Sequence, residues 1–136
     1  MAKFVATDYN ISIAGTDFST SLAAVTLDIT VDEQETTAFG NSYRTRIGGL
    51  KDASVTLDFH QDFGSGSVDE TLFSNLGGTV EVIVKPTSDA VSASNPSYTF
   101  NALVTQTQPY ASSVGDLATM SVTWPVDGEV TRGTAA

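Results

Sequence analysis

Residues 23–32 read AAVTLDITVD, and the alternation inside them decides the fold class. Val25, Leu27, Ile29 and Val31 alternate with Thr26, Asp28, Thr30 and Asp32. Neighbouring side chains of a strand point to opposite faces, so this pattern describes a strand with one buried face and one wetted face. Its Thr and Val content suits such a surface. The same period returns in residues 53–60, where Ala53, Val55, Leu57 and Phe59 alternate with Ser54, Thr56, Asp58 and His60. It continues through Val80, Val82 and Val84, then Tyr98, Phe100, Ala102 and Val104, then Ala118, Met120, Val122 and Trp124. A shorter run from Asn10 to Ala14 reads as an additional strand that stops at Gly15.

One segment departs from period two. Ser67, Val68, Asp69 and Glu70 form a capping-box sequence, and Leu72, Phe73 and Leu76 follow at helical spacing before Gly77 and Gly78. The spacing predicts one short helix over residues 68–76, with two acids in the first turn where the helix dipole favours them. The expected fold is therefore mainly β: an antiparallel β-sandwich or barrel of six or seven strands with one short flanking helix. Residues 1–136 read as a single domain, frayed over residues 131–136, and a chain of this length can bury a core without staples.

Composition excludes several classes of function. Without cysteine there is no disulfide, zinc–thiolate site or thiol nucleophile. Sixteen acids against six Lys and Arg give a formal charge of −10, which disfavours adhesion to nucleic acid or to an anionic membrane. No stretch approaches the ~20 apolar residues of a membrane helix, and residues 1–10 hold no signal-peptide core. The expectation is a protein made in a cytoplasm, without a membrane anchor.

Catalytic chemistry finds little support. His60 is the only histidine and falls on the polar parity of its strand near Asp58, with no serine in a nucleophile motif nearby. The acids Asp32, Glu33 and Glu35, and Asp62, Asp69 and Glu70, lack the spacing of a calcium loop. Asp62, Phe63 and Gly64 spell a kinase tripeptide without the other kinase elements, and Gly48-Gly49 is not a phosphate loop. No catalytic residue, metal or cofactor is expected.

The segment from Glu33 to Lys51 is the exception to the economy of the chain. It reads as a loop of nearly twenty residues, a length that usually signals function. It concentrates Arg44, Arg46 and Lys51 directly after Asp32, Glu33 and Glu35, and it carries Phe39, Tyr43, Ile47 and Leu50. Two readings are open: these apolar side chains fold back over the domain's own core, or the segment is an arm or hairpin completed by a neighbouring subunit.

The same stretch resembles the major tail tube proteins of long-tailed bacteriophages, in which a Thr- and Asp-rich strand leads into a long loop. The matching residues are Thr37, Phe39 and Gly40, then Tyr43 and Arg44, then Gly49, Leu50, Lys51 and Asp52. The strand from Ala53 to Phe59, the acid-started helix and the ending Asp127-Gly128-Glu129-Val130 fit the family's order. The resemblance implies a β-domain that assembles with itself into stacked rings, commonly of six, forming a hollow tube for DNA ejection; the type VI secretion tube protein is a structural relative. It implies tail-tip, tape-measure and tail-terminator proteins as further partners, and a place in the virion after assembly in the host cytoplasm.

Under that reading Asp32, Glu33, Glu35, Phe39, Tyr43, Arg44, Arg46, Ile47, Leu50 and Lys51 are the expected assembly interface, since aromatics and Arg dominate interface energies. Thr26, Asp28, Thr30, Thr56, Asp58, Thr119, Ser121 and Thr123 would suit a tube lining that repels phosphate, with Asp28 and Asp58 as the luminal candidates. The rival readings are another virion protein, such as a head-decoration or neck component, and a β-sandwich binding module. The last fits less well because Trp124, the only tryptophan, shares the apolar parity of Val122 and Met120.

Overall fold

The alternating runs become two antiparallel sheets in the computed structural model, which describes residues 8–65 and 67–134. In chain order the elements are β1 (Asn10–Ile13), β2 (Thr16–Asp17), a 3-10 turn (Ser19–Ser21), β3 (Leu22–Glu35), β4 (Arg46–His60), α1 (Val68–Ser74), β5 (Thr79–Lys85), β6 (Ser97–Leu103), β7 (Thr119–Pro125) and β8 (Thr131–Gly133). One sheet has the order β2-β1-β5-β6-β8 and the other β3-β4-β7. The result is a sandwich-like β fold with one short helix. Its two shortest strands, β2 and β8, are too brief to show alternation in sequence.

The core lies between the sheets and is built by parity. Val55, Leu57 and Phe59 of β4 stand opposite Trp124, Val122 and Met120 of β7. From the other sheet come Ile11 and Ile13 of β1, Val80 and Val82 of β5, and Phe100 and Ala102 of β6, all buried. Each large aliphatic or aromatic side chain hidden in this way contributes about 1.5–3 kcal/mol. Phe18 meets the ring of Phe59 edge to face, with centroids 6.4 Å apart. Trp124 is fully buried, and its indole N–H donates to the Gln106 carbonyl at 2.9 Å, so the one polar atom of that side chain is satisfied.

The free edge of β7 is capped by side chains rather than by a strand. Gln108 Oε1 accepts the Ser121 N–H at 3.1 Å and Gln106 Oε1 accepts the Thr123 N–H at 3.3 Å. An uncapped edge invites pairing with another chain, and these two glutamines occupy its donors. The alternation of Gln106, Thr107 and Gln108 is the sequence signal for this device.

Three expectations need correction. Residues 33–51 are not one long loop: β3 runs to Glu35 and β4 starts at Arg46, so only residues 36–45 lie outside strands. The segment is a hairpin: Glu33, Gln34 and Glu35 pair with Gly48, Ile47 and Arg46, and the Glu33–Arg46 and Glu35–Arg44 ion pairs cross it, a ladder that the acids and glycines obscure in sequence. The helix ends at Ser74, not at residue 76, with Asn75 as its C-cap. Ser67 is the N-cap residue, but its side chain makes no cap bond to the helix; its hydroxyl donates back to the carbonyls of Asp62 and Gly64, closing the loop that precedes the helix. Finally, residues 131–133 are strand β8, paired to β6 through Thr131–Thr99 and Gly133–Ser97, while residues 135 and 136 of the expected frayed end lie outside the described residues.

Candidate functional site

The β3–β4 hairpin leaves the sandwich. From Asp28 to Glu35 on β3, and from Arg46 to Asp52 on β4, every residue is exposed. The five-stranded sheet stops short of this length, so Ile29 and Val31, which share the apolar parity of Val25 and Leu27, are 49% and 50% exposed. Pairing nevertheless continues outward through Val31–Lys51, Glu33–Gly48, Gln34–Ile47 and Glu35–Arg46, with a bulge between Val31 and Glu33. Gly48 fits that bulge closely, since a Cβ there would stand 3.2 Å from Val31 Cγ1.

An isolated two-stranded ribbon is marginal in water, so the arm needs local supports. Thr36 donates its N–H to the Thr45 carbonyl at 2.7 Å, the two threonine hydroxyls bond at 2.7 Å, and Thr37 Oγ1 accepts the Thr45 N–H at 2.9 Å. Arg46 pairs with Glu33 and Arg44 with Glu35. The acid and base clusters noted in the sequence therefore meet first across the arm itself.

The structure excludes the reading in which the apolar residues of this segment fold back over the domain's own core. Phe39 is fully exposed, Tyr43 85%, Leu50 82% and Ile47 61%. None folds back over the core of its own chain. Four large apolar side chains held in solvent on one ribbon are unusual, and exposed apolar groups of this kind mark interaction sites.

A second surface lies on the outer face of the three-stranded sheet. Registers bring Thr26, Thr56 and Thr123 into one row, Asp28, Ser54 and Pro125 into a second, and Ala24, Asp58 and Ser121 into a third. Thr30, Asp52 and Thr119 extend the same face. All eight hydroxyl and carboxylate residues singled out in the sequence as a wet lining thus share one face of one sheet, and no Lys or Arg stands among them. Thr56 and Thr123 bond through their hydroxyls at 3.2 Å. Asp28 is exposed, whereas Asp58 is half-buried, and its Oδ1 is buried without a hydrogen-bond partner among the described residues.

The strand β3 is an edge over 14 residues, with no further strand beside it in the sheet order. Its backbone donors and acceptors on that side are a template for another chain. Nothing comparable points to catalysis. His60 is exposed at the end of β4, opposite Thr119, and no group of three or more His, Asp or Glu among the described residues could hold a metal.

Sequence reasoning missed one further feature. Phe63, Tyr110 and Leu117 are 56%, 89% and 67% exposed at the end of the sheet away from the arm tip. They lie in turns without alternation, so periodicity carries no signal for them; the only cue was large apolar residues in polar surroundings.

No protein-family model and no curated protein sequence matches the chain. Solved structures do share its fold. A chain from the virion of a native gene transfer agent (GTA) particle superposes with a TM-score of 0.72 at 16% identity, covering 97% of this chain and 100% of that one. A chain from the tail of an empty GTA particle, determined by helical refinement with C6 symmetry, superposes with a TM-score of 0.66 at 16% identity, covering 93% and 94%. The chain shares its fold with both over nearly its whole length.

Proposed function

We propose that this chain is a tail tube subunit: a structural virion protein that assembles with itself into stacked rings, six to a ring, enclosing a channel for DNA. The observation that carries the reading is the projecting β3–β4 arm, whose Phe39, Tyr43, Ile47 and Leu50 have no use in the isolated chain. Exposed apolar groups of this size favour burial against another molecule, and Arg44, Arg46 and Lys51 beside them supply direction to the contact. The likeness of fold to chains of a GTA virion and of a C6-symmetric GTA tail supports the same reading and the ring of six.

The hydroxyl and carboxylate face of the three-stranded sheet supplies the lining. Carboxylates at Asp28, Asp52 and Asp58 repel phosphate, and threonines offer no cation for it to grip, so DNA can slide rather than stick. Partners at the tube ends and inside it would be the tail-tip, tail-terminator and tape-measure components of such a tail.

Substituting Phe39→Ala or Arg44→Ala tests the assembly role. Each variant should remain a folded monomer and form no tubes; unimpaired assembly by both would sink the reading. For the lining, Asp28→Lys with Asp58→Lys should slow or block DNA ejection from otherwise complete particles, and normal ejection would count against a luminal position.

A further inference from the structure

The three-stranded sheet has two unlike edges. Along β7, three alternate N–H groups find side-chain acceptors: Thr119 donates to Ser112 Oγ at 3.0 Å, Ser121 to Gln108 Oε1 at 3.1 Å and Thr123 to Gln106 Oε1 at 3.3 Å. Pro125, the next residue of that parity, has no N–H to offer. At the other edge no strand stands beside β3. We propose that residues 106–112 are a latch, an autoinhibitory contact that closes β7 to strand addition in the free subunit and yields to the β3 edge of a second copy on assembly. This rests on the tail-tube reading and adds to it a control on when copies join.

The contact is built to release. Gln106 meets Thr123 and Gln108 meets Ser121, so the segment runs antiparallel along β7 as a further strand would, yet its acceptors are side-chain amides. Its backbone carbonyls take other donors: Trp124 Nε1 at 2.9 Å on Gln106, and Gln61 Nε2 at 3.2 Å on both Gln108 and Pro109. A side-chain acceptor can swing off an edge without unpairing a ladder. The latch also carries an internal cost. Thr107, between the two glutamines, buries its Oγ1 without a hydrogen-bond partner among the described residues, and release would return that oxygen to water. Finally, the same sheet supplies the occupant. β3 is an edge over 14 residues, and an added strand satisfies an edge with backbone partners. Contact between the unlike edges β3 and β7 joins copy to copy and can close as a ring, whereas β3 on β3 stops at a dimer.

The test removes the two amide acceptors in a Gln106→Ala/Gln108→Ala variant and leaves Ser112 and Pro125 in place. Amide exchange at Ser121 and Thr123, followed by NMR below the assembly threshold, should quicken about tenfold. The concentration at which tubes form, read by sedimentation and electron microscopy, should fall about tenfold. A contact that merely completes the fold predicts the reverse, because a loosened subunit assembles less readily. Tubes at an unchanged or higher threshold, amorphous aggregate in their place, or unchanged exchange at both amides overturns the latch and leaves the tail-tube reading intact. Gln108→Ala alone, which keeps the Gln106 contacts to Thr123 and Trp124, carries the same test if the double variant loses the parent's circular dichroism. If parent and variant both stay monodisperse at every concentration, even with tail-tip components, the latch and the tail-tube reading fall together.

Discussion

Arg46 Nε lies 2.5 Å from Glu33 Oε1 across the arm, on a side chain that is still 48% exposed. Exposed pairs of this kind contribute about 0–1 kcal/mol, so the pair orders the arm more than it stabilises the fold. Arg46→Ala should therefore shift the monomer's melting temperature by no more than about 3 °C. Tube formation should suffer far more, because the arm's geometry is what a neighbour would recognise. Equal loss of stability and assembly, measured by calorimetry and sedimentation on the same preparation, would assign Arg46 a merely structural role.

The turn between β1 and β2 contains an avoidable cost. Ala14 has a φ of 53° and Gly15 a φ of 84°, with Ile13 and Thr16 paired across them. Two-residue hairpin turns of this form favour Asn followed by Gly, because a Cβ is disfavoured in the left-handed region. Ala14→Asn keeps the backbone N–H that donates to the Glu81 carbonyl at 2.9 Å. It should stabilise the monomer by about 0.5–1 kcal/mol, read as a higher urea midpoint at unchanged slope. A lower midpoint would mean that the turn is held by something other than local preference.

Much of the fold was legible because parity is a direct record of burial. Val55, Leu57 and Phe59, and Met120, Val122 and Trp124, sit in the core as their spacing predicts. Where a strand outruns the sheet it packs on, parity persists but burial does not, which is why Ile29 and Val31 read as core and are half-exposed. The arm concealed its strands for a related reason: with neither side covered, selection for alternation vanishes, and glycines at a bulge look like loop. The polar parity of Thr26, Asp28, Thr56, Asp58, Thr119, Ser121 and Thr123 was legible strand by strand, but their rows across one sheet were not, since these depend on which strands are neighbours.

Asp58 offers a measurable sign. Its buried Oδ1 has no hydrogen-bond partner among the described residues, and such an oxygen costs about 1–3 kcal/mol relative to a satisfied one. Asp58→Thr would continue the threonine rows on that face beside Ser121 and should raise the urea midpoint by the equivalent of about 1 kcal/mol. No change, or a loss, would show that the carboxylate is satisfied where it stands.

Acid should loosen the β2 end of the five-stranded sheet. Asp17 accepts hydrogen bonds from the hydroxyl and, at 2.8 Å, the N–H of Ser19, and these hold its carboxyl below the ordinary value of 3.8. A carboxyl lowered on folding adds stability above its unfolded pKa, and that stability is lost as pH falls through the folded one. Asp17→Ala should therefore cost about 0.5–1 kcal/mol at neutral pH. The gap between variant and parent should narrow as pH falls below 3.8; a gap independent of pH would remove the carboxylate from the account.

The central claim is that the arm makes this chain a tube-forming subunit, and electron microscopy of the purified protein over a concentration series tests it most directly. The expected result is hollow tubes or stacked rings of uniform width and six-fold symmetry above a threshold concentration, absent in Phe39→Ala. A monodisperse monomer at every concentration, unchanged when tail-tip components are added, would contradict it.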